Sequence, residues 1–263
     1  MWVDRRPGGS VCNLTQHILN CMKTPNRIAS VVLTVIWLVG SNLSFASPLD
    51  RWEARDGPLP SDYLHAVTWG NGLFVAVGTS AGNTLAFTSP DGITWRGRLA
   101  NGPGTLTGVT SVGGMFVPVG NKGAGCSIDC GIVQMGYANG EAWFERAVFP
   151  SNRLYAVTYG NQRFVAVGYD SGVGSGVAVT SMDGVNWTSH RLLESGITSS
   201  AILTGVTYGD GMFVAVEFSP GTAFTSVDGV NWTNRGNVPG QPHAITYGDG
   251  LFAVAGGPEL FCC

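Results

Sequence analysis

The stretch Leu64-His-Ala-Val-Thr-Trp-Gly-Asn-Gly-Leu-Phe-Val-Ala-Val-Gly78 decides the fold of this chain, because it recurs along the sequence. Apolar residues flank a central Asn-Gly pair, which is a strong short-range signal for a β-hairpin. The phrase begins five times, at Leu64, Leu106, Leu154, Leu203 and Pro242. Its fourth position falls at residues 67, 109, 157, 206 and 245, so the units are 42, 48, 49 and 39 residues apart.

A second phrase follows the first within four of the five repeats. It runs Thr88-Ser-Pro-Asp-Gly-Ile-Thr-Trp95, with near copies ending at Trp187 and Trp232 and a degenerate copy ending at Trp143. The Asp-Gly pair predicts another tight turn. Two hairpins in a repeat of roughly 45 residues give four short strands, which is the size of one β-propeller blade. We therefore predict an all-β propeller of four-stranded antiparallel blades.

Composition agrees with this fold and excludes several others. The 263 residues include 39 Gly and 8 Trp, and only 12% are charged, against about 25% in an ordinary soluble domain. The low charge argues against a helical bundle, and the 44% hydrophobic content argues against disorder. The net charge of −3 and the lack of a basic cluster argue against a nucleic-acid partner.

The number of blades has two interpretations. The segment Arg51-Trp-Glu-Ala-Arg55 is similar to Thr94-Trp-Arg-Gly-Arg98, so it predicts a fourth strand placed before the first complete blade. The last repeat ends after its first hairpin, and that N-terminal strand could complete it. This gives five blades closed across the termini. The alternative is a truncated ring of six or seven blades.

The second phrase carries a resemblance to a known group. Ser-x-Asp-Gly-x-[Thr/Asn]-Trp resembles the Asp-box, or bacterial neuraminidase (BNR) repeat, of sialidase-like and photosystem II assembly-factor-like propellers. The usual box separates Asp and Gly by one residue, whereas Asp91, Asp183 and Asp228 are followed directly by Gly. The resemblance implies a propeller, and it allows either a sialidase-like glycoside hydrolase or a scaffold that helps to assemble a membrane complex.

The N-terminal segment, residues 1–46, predicts export. Lys23 and Arg27 precede an uncharged, largely apolar run over residues 28–49, and Ser44-Phe-Ala46 has the small-x-small pattern of a cleavage site. We expect a secretory signal peptide whose translation starts at Met22, followed by a propeller domain over residues 47–263 that is secreted or periplasmic. An uncleaved signal anchor is the alternative, and only then would the chain contact a membrane.

Most residues that look chemical recur once per repeat, which favours structural roles. We assign the box aspartates to turns and the repeat tryptophans to packing; they are Asp91, Asp183, Asp228, Trp52, Trp95, Trp143, Trp187 and Trp232. The second position of the first phrase varies, so we predict binding residues there, around the channel mouth: His65, Thr107, Tyr155, Thr204 and His243. Cys126 and Cys130 predict a small disulfide in an exported chain. Two histidines without a carboxylate at a known spacing do not predict a metal site, and no cofactor is expected.

The favoured function is non-catalytic recognition of a glycan, a protein or a cell-surface partner. Tight turns form one face of the predicted propeller, and loops of variable length form the other, where binding usually resides. A hydrolase would need two carboxylates, or a Tyr and a carboxylate, facing each other. Its candidates are Glu217, Asp170, Asp62 and Tyr155, and none has a partner visible in the sequence. The acidic balance of the mature chain argues against the scaffold.

Overall fold

The computed structural model describes residues 62–123, 130–137, 142–192, 201–257 and 260–262. They all belong to one compact unit, Arg55–Cys263. The predicted signal segment, the boundary at residue 46 and the strand at residues 51–55 lie outside the described residues and stay predictions. The regular elements described are all strands, so the described residues include no helix that could cross a membrane.

The described residues form eighteen strands. They are β1 (Asp62–Gly70), β2 (Leu73–Ser80), β3 (Asn83–Ser89), β4 (Arg96–Val112), β5 (Met115–Lys122), β6 (Cys130–Gly136), β7 (Trp143–Pro150), β8 (Asn152–Gly160), β9 (Arg163–Asp170), β10 (Ser175–Ser181), β11 (Thr188–Arg191), β12 (Leu203–Gly209), β13 (Met212–Glu217), β14 (Thr222–Ser226), β15 (Thr233–Asn237), β16 (Gln241–Gly248), β17 (Leu251–Gly257) and β18 (Leu260–Cys262).

The strands form antiparallel sheets that correspond to the sequence repeats. Strand β4 is long enough to serve two sheets: residues 96–103 pair with β3, and residues 104–112 pair with β5. Blade 1 is therefore β1 to the first half of β4, and blade 2 is the second half of β4 to β7. Blade 3 is β8–β11, blade 4 is β12–β15, and β16–β18 form a three-stranded fifth sheet, blade 5. The predicted all-β fold of four-stranded antiparallel blades is confirmed.

The first hairpin of each repeat has the backbone that its turn residues predict. Asn71 and Gly72 have φ of 48° and 73°, and Asp210 and Gly211 have φ of 47° and 75°. Two successive positive φ values define the type I′ turn, whose twist matches that of the flanking strands. The same pattern occurs in the other three repeats. Turn chemistry therefore sets the register of the inner two strands of every blade.

Neighbouring blades pack face to face through equivalent positions. We call the face of a blade toward the preceding blade its front and the opposite face its back. Val165 and Val167, on the back of blade 3, share one buried cluster with Leu203, Val206 and Phe213 on the front of blade 4. Two further clusters repeat this arrangement between blades 2 and 3 and between blades 1 and 2. The core is thus a series of layers between blades.

A glycine on the back of a blade makes room for an aromatic ring of the next blade. A Cβ atom on Gly160 would overlap the ring of Tyr208, and one on Gly209 would overlap the ring of Tyr247. Blade 2 has Ser111 at the position of these tyrosines, and a cavity of about 260 Å³ adjoins it. Ring size at this position therefore decides how completely an inter-blade layer is filled.

Tyr208 and Ser111 occupy equivalent positions, and exchanging these two residue types should change the free energy of unfolding in opposite directions. Tyr208→Ser should lower the free energy of unfolding by about 2–4 kcal/mol, because it opens a cavity between blades 3 and 4. Ser111→Tyr should raise it by about 1 kcal/mol by filling the existing cavity. Chemical denaturation measures both changes. Tyr63→Ser, at an exposed position, is the matched control. A loss for Tyr208→Ser no larger than that of this control would show that the ring does not stabilise the layer.

Candidate functional site

The second turn of blades 1, 3 and 4 is a network of side-chain and backbone hydrogen bonds. In blade 1 the Asp91 Oδ1 atom accepts hydrogen bonds from the backbone N–H groups of Ile93 and Thr94, each at 2.8 Å. The Ser89 hydroxyl oxygen accepts the Gly92 N–H at 2.8 Å. These contacts stabilise the tight turn and leave the carboxylate facing its own backbone.

The same network recurs in blades 3 and 4 around Asp183 and Asp228. The N–H of Asn186 and its side-chain amide hold the pKa of the Asp183 carboxyl below its usual range. Burial alone would raise the pKa of Asp228, but hydrogen bonds from Asn231 and Val230 outweigh it and lower that pKa. Carboxylates held in this way act as turn acceptors rather than as acids.

The repeat tryptophans also lie in structural positions. The indole N–H groups of Trp95, Trp187 and Trp232 each donate to the glycine carbonyl of their own turn, at 3.1, 2.9 and 3.1 Å. Trp143 and Trp232 are buried in the layers between blades. Trp52 lies outside the described residues.

The five residues predicted at the channel mouth divide into two kinds. The Thr107 hydroxyl donates to the Leu154 carbonyl at 2.8 Å, and the Thr204 hydroxyl donates to the Pro242 carbonyl at 2.8 Å. These two hydroxyls therefore connect adjacent blades.

The other three are His65 and His243, which are exposed, and Tyr155, which is half-buried. The His243 ring lies 5.0 Å from that of Phe218. Within the described ranges, no group of three or more His, Cys, Asp or Glu side chains could hold a metal ion.

A polar groove of about 770 Å³ lies along blade 3 instead. It forms where β7 ends, β8 begins and β11 ends, with one turn of blade 4 on its side. Its lining residues are Phe149, Pro150, Asn152, Asp170, Ser189, His190, Arg191, Val230 and Asn231. Six of these carry hydrogen-bonding side chains, and Asp170 is the one carboxylate among them. We take this groove as the candidate site.

Two of the lining residues form an ion pair. The buried Asp170 carboxylate lies 3.2 Å from the Arg191 Nε atom through Oδ2, and its Oδ1 accepts the Gly172 N–H at 2.9 Å. Asp170 pairs across the ladder with Asn152, whose side-chain amide lies 3.5 Å from the Ser189 hydroxyl. The Arg191 side chain is 58% exposed, so the pair has a rigid acceptor and a donor that solvent can reach.

His190 adds a titratable group to the groove. Its Nε2 atom lies 3.0 Å from the Thr180 hydroxyl oxygen. Burial lowers the pKa of the His190 ring, the nearby Arg163 charge lowers it further, and Asp228 opposes the shift. The ring is therefore held in its neutral form more strongly than a free histidine.

The other proposed acids do not line the groove. Glu217 is buried, and burial raises the pKa of its carboxyl against a hydrogen bond from Thr222. It occupies the last position of the first phrase, where the other four repeats have glycine. Asp62 begins β1, and Tyr155 belongs to the inner strand of blade 3.

The predicted disulfide is described at one end only. Cys130 is disulfide-bonded, but its predicted partner Cys126 lies outside the described residues. The pairing of Cys126 with Cys130 therefore stays a prediction.

Sequence reasoning identified Asp170 as a candidate acid but missed Asn152, Ser189 and Asn231 as its neighbours. These three come from different strands and turns, and no spacing in the sequence relates them. One signal was available for Asp170: the equivalent positions in blades 1 and 2 are Ser80 and Lys122, so blade 3 departs from the other repeats there.

Comparison with known proteins supports the fold. No protein-family model and no curated protein sequence matches the chain. The GH43 β-1,3-galactosidase BT3683, solved with galactodeoxynojirimycin, is similar with a TM-score of 0.52 and 9% identity, over 73% of this chain and 84% of that one. YCF48 bound to D1 peptide is similar with a TM-score of 0.52 and 15% identity, over 77% and 68%. The GH43 β-1,3-galactosidase BT0265 has a TM-score of 0.53 and 13% identity, over 77% and 54%. These neighbours are propellers, and identities this low show the fold alone.

The lowered pKa of His190 predicts a stability that depends on pH. As the pH falls below about 6.5, the unfolded chain takes up this proton before the folded chain does. The contribution of the neutral His190 ring to the free energy of unfolding is complete above that pH. It is lost as the pH falls toward the lower pKa of the ring in the folded chain. The wild type should therefore lose more free energy of unfolding than His190→Gln between about pH 7.5 and about pH 5. Thermal unfolding of both proteins measures the difference, and equal losses would contradict the predicted shift.

Proposed function

We propose that this chain is an exported recognition module that binds an uncharged glycan in the groove of blade 3 without cleaving it. Export rests on the signal-type segment at residues 1–46, which lies outside the described structure. Membership of the Asp-box group stays a prediction, because no family model matches the chain. The observation that carries the proposal is the groove itself, which is lined by six polar side chains, including the Asp170–Arg191 ion pair, and by three apolar residues.

The groove provides both of the hydrogen-bonding partners that a sugar hydroxyl requires. A hydroxyl group donates one hydrogen bond and accepts others. Asp170 is a fixed hydrogen-bond acceptor and Arg191 is an adjacent donor. The side-chain amides of Asn152 and Asn231 can donate or accept. Phe149 and Pro150 supply part of the apolar lining, where the C–H face of a sugar ring can pack. Because Asp170 and Arg191 neutralise each other, the pair favours an uncharged ligand.

We propose that the groove binds the glycan without cleaving it because its lining has too few carboxylates for hydrolysis. Hydrolysis of a glycosidic bond requires two carboxyl groups on either side of the bond in most such enzymes. Of the described residues that line the groove, only Asp170 is acidic, and its carboxylate is engaged with Arg191. A sialidase-like hydrolase and an assembly scaffold that binds a protein are the competing functions. Each predicts a different outcome in the experiment below.

The test is a glycan array with the mature chain, followed by calorimetric titration of the best ligand. Asp170→Asn and Arg191→Gln should each weaken binding by about tenfold or more, since each removes a charge-assisted hydrogen bond. Asp210→Asn, in an exposed turn of blade 4, should bind like the wild type and is the matched control.

Three results would contradict the proposal. Binding that both groove variants leave unchanged would place the ligand elsewhere. Release of free sugar from the bound glycan would show a hydrolase. A folded chain that binds no glycan but captures a protein partner would favour the scaffold.

A further inference from the structure

The two end blades expose faces that every other junction buries. Three junctions join blades 1 and 2, blades 2 and 3, and blades 3 and 4. At each of them, a leucine and a valine on the front of one blade are covered by the back of the preceding blade. Val157 and Val206 are 9% and 6% exposed there. The equivalent Val67 in blade 1 is 61% exposed, and Trp69 beside it is 52% exposed.

Within the described part of the chain, the front of blade 1 is therefore an apolar packing surface with no blade packed against it. Leu64, Val67, Trp69 and Trp95 stand at the positions that enter the inter-blade layers elsewhere. Trp95 packs against Ala76, Leu85 and Phe87 of its own blade, and its ring lies 6.3 Å from that of Phe74 in the same blade. Trp69 lies 4.3 Å from Phe74, so its ring is already held in the orientation that the tyrosines of blades 3 and 4 adopt against their phenylalanines.

The back of blade 5 is the matching surface. Gly248 is equivalent to Gly160 and Gly209, whose open faces receive a tyrosine ring of the next blade. Among the described residues, no atom lies within 4 Å of a Cβ built on Gly248. Ala244 and Ala255, which pair with each other in the same two strands, are exposed as well.

The residue sizes at the two ends are complementary. Each of blades 1 to 4 has two valines on its back in the second strand, such as Val165 and Val167, whereas blade 5 has Ala253 and Ala255. Conversely, blade 1 has the larger Trp69 where blades 3 to 5 have tyrosine. The wider Trp69 ring of blade 1 would pack on the smaller alanines of blade 5. The two surfaces therefore fit each other better than either would fit the corresponding face of blades 2 to 4.

We infer that a second copy of this chain covers these faces, with the front of blade 1 in one copy seated on the back of blade 5 in the other. Trp69 of one copy then lies over Gly248 of the second, as Tyr208 lies over Gly160 inside each chain. Among the described residues the two faces do not meet, because Trp69 is exposed and no atom lies within 4 Å of a Cβ built on Gly248. An added strand at the edge of β18 would extend that sheet and leave its face uncovered.

This interface is heterologous, because each copy contributes a different face at its two ends. Such contacts either close into a ring or continue as a chain of copies. The surface is separate from the groove of blade 3. The inference that copies associate therefore does not depend on the glycan proposal.

Sedimentation of the mature chain across a range of concentrations tests the inference. The wild type should associate. Trp69→Arg and Gly248→Arg should each be monomeric, because each removes one of the two faces. Met182→Arg, at an exposed apolar residue in a turn of blade 3, is the matched control and should associate like the wild type. Circular dichroism checks that every variant is folded.

Mixing the two monomeric variants gives the sharpest result. Trp69→Arg keeps an intact blade 5 face, and Gly248→Arg keeps an intact blade 1 face. An equimolar mixture should therefore form a one-to-one heterodimer that grows no further. A wild type that is monomeric at all concentrations would overturn the inference in favour of closure within one chain, and so would a mixture that stays monomeric. Association that survives both substitutions would overturn it as well.

Discussion

The packing of one blade on the next is the constraint on which the whole molecule depends. A single four-stranded sheet of this sequence presents valines, leucines and aromatic rings on both faces, and it cannot bury them alone. The layers between blades bury them, with Leu154 and Leu203 fully enclosed. The repeated glycines and tyrosines let the sheets approach closely enough for those layers to fill. The groove depends on the same packing, because it is lined by residues of blades 2, 3 and 4.

Departures from the repeat mark the places where the chain is specialised. Glu217 stands where the other repeats have glycine, Asp170 stands where two of them have Ser80 and Lys122, and Ser111 leaves a cavity that tyrosine fills elsewhere. Positions that serve inter-blade packing are nearly the same in each blade. Binding requires residues that differ between blades, and Asp170 with Arg191 is such a pair.

Much of the fold could be predicted from the sequence, because its determinants are local. Asn71-Gly72 and the other turn pairs specify hairpins through their own backbone preferences, and the Asp91 network forms within seven residues. The continuity of β4 through two blades does not follow from the sequence, since Gly102, Pro103 and Gly104 are residue types that favour turns and loops. Their backbone pairs with β3 and β5 all the same.

The candidate site could be predicted only in part, because it is assembled from residues far apart in the chain. Asp170 stood out as an acid, but Asn152 and Ser189 approach it only when the strands of blade 3 pair, and Asn231 lies on blade 4. Variation at the second position of the first phrase pointed to the channel mouth. There, Thr107 and Thr204 use their hydroxyls to join blades.

The central claim is that the groove of blade 3, and not the channel mouth, receives the ligand. Amide hydrogen exchange of the chain, with and without the glycan that binds best on the array, tests this most directly. The account predicts slower exchange at Asn152 and over residues 189–191, with little change on the inner strands at His65 and His243. Slower exchange confined to those inner-strand positions, with the groove unaffected, would contradict it.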